Sequence, residues 1–167
     1  MEPNTTLEIL KHAILLETRG KAFYSNAAEN SKDPDVRRIF TIMADEEDDH
    51  IKYLEDQFRS YRDEGRFEFT EQLGKGNYSV VDQVITNQIA ERISAVSFEA
   101  AAISLAIDME NRAIAAYSER AGNAADPNEK AFFKWLADWE RSHHKILFQL
   151  DQELKEKIWA DNSFWAF

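Results

Sequence analysis

The sequence contains no cysteine. That excludes a structural disulfide, a catalytic thiol, an iron–sulfur cluster and any zinc or iron site built on Cys ligands. Glycine and proline are scarce, at 5 and 3 of 167 residues. So few chain-breaking residues over this length point to long helices. Positive charge is also short: 20 Lys and Arg face 31 Asp and Glu, a formal net charge of −11. A nucleic-acid-binding face needs clustered Lys and Arg, so nucleic acid is not an expected partner. An acidic surface favours solubility and draws cations. Long hydrophobic runs are missing too. The longest weakly charged stretch, Ala95 to Ile107, is interrupted by Glu99 and is too short to span a bilayer. The start, Met1-Glu2-Pro3-Asn4, lacks the basic and apolar segments of a secretion signal, so a cytoplasmic location away from membranes is expected. The length fits one domain that buries roughly 70% of its unfolded surface.

What is present is a doubled motif. Glu47 with His50, and Glu140 with His143, are two copies of Glu-x-x-His. Each copy follows a lone glutamate, Glu17 or Glu110, by 30 positions, and one shift of 93 positions relates the halves. The same register aligns Ala13 with Ala106, Ile14 with Ile107, Arg19 with Arg112, Tyr24 with Tyr117 and Ser25 with Ser118. It also aligns Asn30-x-x-Asp33-Pro34 with Asn123-x-x-Asp126-Pro127, Phe40 with Phe133, and Leu54 with Leu147. No gap is needed. Chance likeness between helical hairpins scatters apolar matches; it does not bring both pairs, both tyrosines and both Asp-Pro steps into one register. The pattern reads as internal duplication of a two-helix unit.

The expected elements follow from caps and periodicity. The first hairpin spans 5–64 and the second 96–157, joined by a crossover over 65–95, with an aromatic tail over 158–167. Thr5 and Glu8 have capping-box spacing at the first helix start. Asp33-Pro34 and Asp126-Pro127 each pair an N-cap with a proline at the first helical position. Gly65 stops the second helix. From Gly65 to about Val81 the helical period is lost, and a loop is expected. From Asp82 to Ala95 it returns, as a short helix or as an early start to the third long one. The tail carries Trp159, Phe164, Trp165 and Phe167, which suggests docking on the bundle or on a partner. The expected fold is all-α: a ferritin-like four-helix bundle of two duplicated hairpins with one long crossover.

Residues three apart on a helix share a face. Glu47 and His50 therefore project together, as do Glu140 and His143, while Glu17 and Glu110 complete the halves. Four carboxylates and two imidazoles converging in a core suit two iron ions, with manganese or a mixed pair also compatible. The expected metal ligands are Glu17, Glu47, His50, Glu110, Glu140 and His143. Glu47 and Glu140 would bridge, Glu17 and His50 would hold one ion, and Glu110 and His143 the other. Four unpaired buried carboxylates would each cost several kcal/mol, which two divalent cations would offset. Tyr24 and Tyr117, seven positions past Glu17 and Glu110, are candidates to hydrogen-bond ligand carboxylates, with plain core tyrosines the alternative. Asp45, Glu46, Asp48 and Asp49 read as a solvated face. His12 and His144 lie off the ligand faces.

Together, Glu17 with Tyr24, Ala44-x-x-Glu47-x-x-His50, Glu110 with Tyr117, and Ala137-x-x-Glu140-x-x-His143 resemble the rubrerythrin group of the ferritin-like di-iron superfamily. The resemblance covers both hairpins. It implies a non-haem di-iron centre that reacts with hydrogen peroxide or dioxygen, often within a homodimer, possible swapping of helices or crossover included. Three departures qualify it. Rubrerythrins carry a rubredoxin-like domain with four cysteines; with none here, an external electron donor is implied. They also have a second glutamate three residues from the third-helix ligand, where this chain has Ile107 and Ala113. The remaining set is similar to that of bacterioferritins, yet their haem-ligating methionine is replaced by Asp48, so no haem is expected. The implied function is a di-iron oxidoreductase; a ferroxidase or iron-sequestering protein and a non-enzymatic bundle are the alternatives. Gly20 and Ala113, one turn past Glu17 and Glu110, are small enough to leave room for an oxidant.

Overall fold

The computed structural model describes residues 3–69 and 86–161. Five helices account for nearly all of them: α1 (Pro3–Asn30), α2 (Pro34–Glu64), α3 (Thr86–Arg92), α4 (Phe98–Asn123) and α5 (Pro127–Asp161). No strand occurs among the described residues. The four long helices form two hairpins, α1 along α2 and α4 along α5, in a ferritin-like bundle. Among the described residues, no helix is long and apolar enough to cross a membrane. The expected loop from residue 70 to Val81 and the aromatics Phe164, Trp165 and Phe167 lie outside the described residues. Trp159 ends up on α5 rather than in a separate tail, about half exposed.

Local chemistry sets the helix ends. Asp33 caps α2, its Oδ1 accepting from Asp35 N at 3.0 Å and Val36 N at 3.1 Å, with Pro34 at the first position. Gly65 ends that helix at φ 70°, and its N–H reaches Tyr61 O at 3.0 Å. An L side chain is disfavoured there, so glycine is the natural stop. The second period of helical pattern resolves into a separate helix, α3, because Ser97 caps α4 afresh: its Oγ accepts from Ala100 N at 3.2 Å. Lys157 of α5 donates to Glu91 O at 2.9 Å at the C-terminal end of α3, which suits the helix dipole.

The core is two apolar clusters with a polar layer between them. Tyr24, Phe40, Met43, Ala106 and Leu147 belong to one cluster. Leu10, Leu54, Tyr117, Phe132 and Leu136 belong to the other. On every long helix the same order holds: a residue of one cluster, the Glu or Glu-x-x-His, then a residue of the other cluster. The crossover contributes as well, since Phe67 and Phe69 are buried against Phe132. Each fully buried side chain of this size stabilises the fold by about 1.5–3 kcal/mol. Their burial also removes water from both sides of the polar layer.

Candidate metal centre

The helical period aims one glutamate from α1 and one from α4, and a Glu-x-x-His from α2 and from α5, into the layer between the clusters. Glu17, Glu47, His50, Glu110, Glu140 and His143 are all at most 3% exposed. Their donor atoms fall into two groups, Glu17-Glu47-His50-Glu140 and Glu47-Glu110-Glu140-His143, each with its atoms within 4.8 Å of one another. Glu47 and Glu140 belong to both.

The shared carboxylates divide their oxygens between the imidazoles. His50 Nδ1 lies 3.0 Å from Glu140 Oε1 and 3.2 Å from Glu47 Oε2. His143 Nδ1 lies 3.3 Å from Glu140 Oε2 and 3.7 Å from Glu47 Oε1. Glu17 Oε2 approaches only His50, at 3.2 Å, and Glu110 Oε1 approaches His143, at 3.5 Å. Both oxygens of Glu140 and Nδ1 of His143 are buried without a hydrogen-bond partner. Groups of this kind rarely stay buried unless something else satisfies them.

The electrostatics follow from that crowding. Burial, with the charge of Glu140 nearby, raises the carboxyl pKa of Glu17 and holds those of Glu47 and Glu110 well above the ordinary range. Glu140 goes the other way. Burial opposes its charge, but the two imidazoles that flank it outweigh burial and lower its pKa. Burial likewise works against charge on His50 and His143, and their carboxylate neighbours reverse it, raising both well above the usual imidazole value. Charge is thus favoured most on Glu140, which approaches both imidazoles within 3.3 Å, whereas Glu47 stands 3.7 Å from His143. Its contacts with them are ionic, without hydrogen-bond alignment.

Around this layer, each tyrosine reaches across the bundle. Tyr24 on α1 donates its hydroxyl to Glu110 on α4, and Tyr117 on α4 donates to Glu17 on α1. Burial holds the Tyr24 hydroxyl pKa well above 10, so it remains a donor. The flanking acidic run needs one correction. Asp45 and Asp49 are exposed, and Asp48 pairs with Lys21 and Lys52. Glu46 does not join that solvated face. Its Oε2 accepts from His143 Nε2 at 2.5 Å and from Trp139 Nε1 at 3.0 Å. Glu46 faces inward because it sits on the flank of α2 that meets α5. The one sequence signal for this was a break in the repeat: the position matching Glu46 holds Trp139. Of the other histidines, His12 is exposed and His144 stacks on Phe148.

A cavity of about 210 Å³ reaches the carboxylates between α1 and α4. Gly20, Ala113, Glu17, Glu47, Glu110 and Glu140 line it, with Arg19 and Arg112 at its rim. A Cβ on Gly20 would sit 3.5 Å from Glu47 Cδ, in ordinary contact, so the glycine keeps this approach open.

The residues present fit a pair of metal ions. The donors are carboxylate and imidazole without thiolate, a set that takes iron or manganese, and unpartnered oxygens of Glu140 face both groups. The sequence model of the rubrerythrin family matches residues 8–151. No curated protein and no solved structure matches the chain.

Proposed function

The chain belongs to the rubrerythrin family, and on that premise we propose that it is a non-haem di-iron oxidoreductase. It reduces hydrogen peroxide or dioxygen with electrons from a donor outside these 167 residues. The observation that supports this most is the sharing of Glu47 and Glu140 by two four-residue groups. On this reading those two carboxylates would be shared by the two ions. Glu17 and His50 complete one position, and Glu110 and His143 the other. Manganese suits the same ligands. Bound there, two ferrous ions supply the two electrons that peroxide takes up.

The chain's own residues do the rest. Tyr24 and Tyr117 orient the two terminal carboxylates by donating to them. The apolar clusters exclude bulk water from both sides, which strengthens every charge interaction in the layer. The cavity beside Gly20 and Ala113 admits a small oxidant to the carboxylates and excludes large molecules by its volume. Arg19 and Arg112 give its rim positive charge in an otherwise acidic protein. A cytoplasmic homodimer belongs to the same reading, and light scattering measures its size.

The test is anaerobic loading with ferrous iron, then rapid mixing with peroxide and, separately, with dioxygen. The expected result is two irons per chain and oxidation by at least one oxidant much faster than that of free ferrous ion. Iron that binds at fewer than two per chain, or that oxidises no faster than in buffer, refutes the proposal.

A further inference from the structure

Among the breaks in the duplication beside the metal ligands, the matched pair Glu46 and Trp139 falls on the outer nitrogens of the two histidines. Both imidazoles turn Nδ1 toward the carboxylates. Behind His143, Nε2 donates to Glu46 Oε2 at 2.5 Å. Behind His50, the matched position is Trp139, whose ring meets the imidazole edge-on at 4.3 Å and 83°. An indole has a donor N–H and no acceptor. Its N–H is directed to Glu46, at 3.0 Å. His50 Nε2 is buried with no hydrogen-bond partner. One side chain, Glu46, therefore serves His143, and its counterpart serves Glu46 rather than His50.

The consequence is chemical. An imidazole that donates its outer N–H to a carboxylate has its tautomer and ring orientation fixed, and its inner nitrogen becomes a stronger ligand. His143 has that support; His50 has an aromatic edge in its place. Glu46 also puts its carboxylate in direct hydrogen-bond contact with one of the two imidazoles, His143. From this asymmetry we propose that the two metal positions are inequivalent, with Glu46 as a positioning residue. The position completed by His143 and Glu110 fills first and holds its ion more tightly. The position completed by His50 and Glu17 fills second and releases its ion first. This rests on the di-metal reading above and adds an order of occupancy to it.

The test is a titration of the metal-free full chain with cobalt(II), followed by visible absorption. Two steps of one ion per chain are expected, with affinities separated by about 10–100-fold, the usual effect of an outer carboxylate on a ligating histidine. His50→Ala should keep the tight step and His143→Ala should lose it. Glu46→Gln should weaken the tight step toward the weak one and leave the weak step unchanged, which a general loss of structure would not do. If Glu46→Gln fails to fold, the two histidine variants still decide. A wild-type chain that takes two ions with one common affinity overturns the inference and leaves the di-metal reading standing. So does a tight step that survives His143→Ala, or one that Glu46→Gln does not move. Saturation below two ions per chain overturns both.

Discussion

Glu47 and Glu140 hold equivalent places in the repeat, yet their removal should have different effects on the metal-free fold. Glu140 lies 3.0 Å from His50 Nδ1 and 3.3 Å from His143 Nδ1, and its pKa is lowered where that of Glu47 is raised well above normal. With chelator present, Glu140 is the carboxylate whose charged form is favoured, between two imidazoles whose charged forms are also favoured, while the neutral form of Glu47 is favoured by burial and by Glu140 nearby. Glu140→Gln removes the one charge that lies within 3.3 Å of both imidazoles, at a cost of about 3–5 kcal/mol, or a melting drop of roughly 6–20 °C for a chain of this size. The drop should be larger at pH 6 than at pH 8, because the imidazoles relieve it by losing their protons. Glu47→Gln replaces a carboxyl whose neutral form is favoured by an amide of the same shape and should cost less than about 1 kcal/mol. Urea and thermal unfolding in chelator measure both. With metal in hundredfold excess over Kd, the wild-type chain should gain about 2.7 kcal/mol that both variants lack. Equal destabilisation of the two metal-free variants would refute this placement of the charge.

Three other outcomes are expected. In chelator, stability should fall as pH rises: Glu17, Glu47, Glu110, His50 and His143 all have raised folded-state values, so the native state binds more protons than the unfolded one. Their contribution is complete below the ordinary values of 4.5 for Glu and 6.5 for His and is lost as pH rises through the raised folded-state values. Metal-loaded protein should show the opposite slope because metal displaces those protons, and melts across pH 5–8 check the sign. Tyr117→Phe and Tyr24→Phe each leave a buried carboxylate without its hydroxyl donor. Each should cost about 1–3 kcal/mol in unfolding assays and weaken metal binding about 10–100-fold by titration. Gly20→Leu should fill the cavity beside Glu47; it should slow oxidation of the loaded iron by peroxide while metal stoichiometry stays the same, and unchanged rates would mean the oxidant enters elsewhere.

Much of the architecture was legible before any coordinates. Asp33-Pro34 and Gly65 bound α2 because cap chemistry is local: a side chain accepts from amides two and three residues on, and a glycine takes a positive φ. The crossover was less legible. Phe67 and Phe69 follow no helical period, so nothing in their spacing foretold burial against Phe132. The acidic run departs from a solvated face at one residue. Glu46 shares its run with three exposed or half-exposed acids, Asp45, Asp48 and Asp49, yet its side chain bonds His143 and Trp139 on α5.

The sequence alone determined the repeat, its offset and which six residues could converge. Those facts depend on the 3.6-residue period, which puts positions three apart on one face wherever the helix lies. Only the tertiary structure decided which residues surround them. Tyr24 meets the glutamate of the other hairpin, and Glu46 stands behind His143 while Trp139 stands behind His50. Such partners are set by how helices cross in space, and two helices with the same internal period can cross with either flank inward.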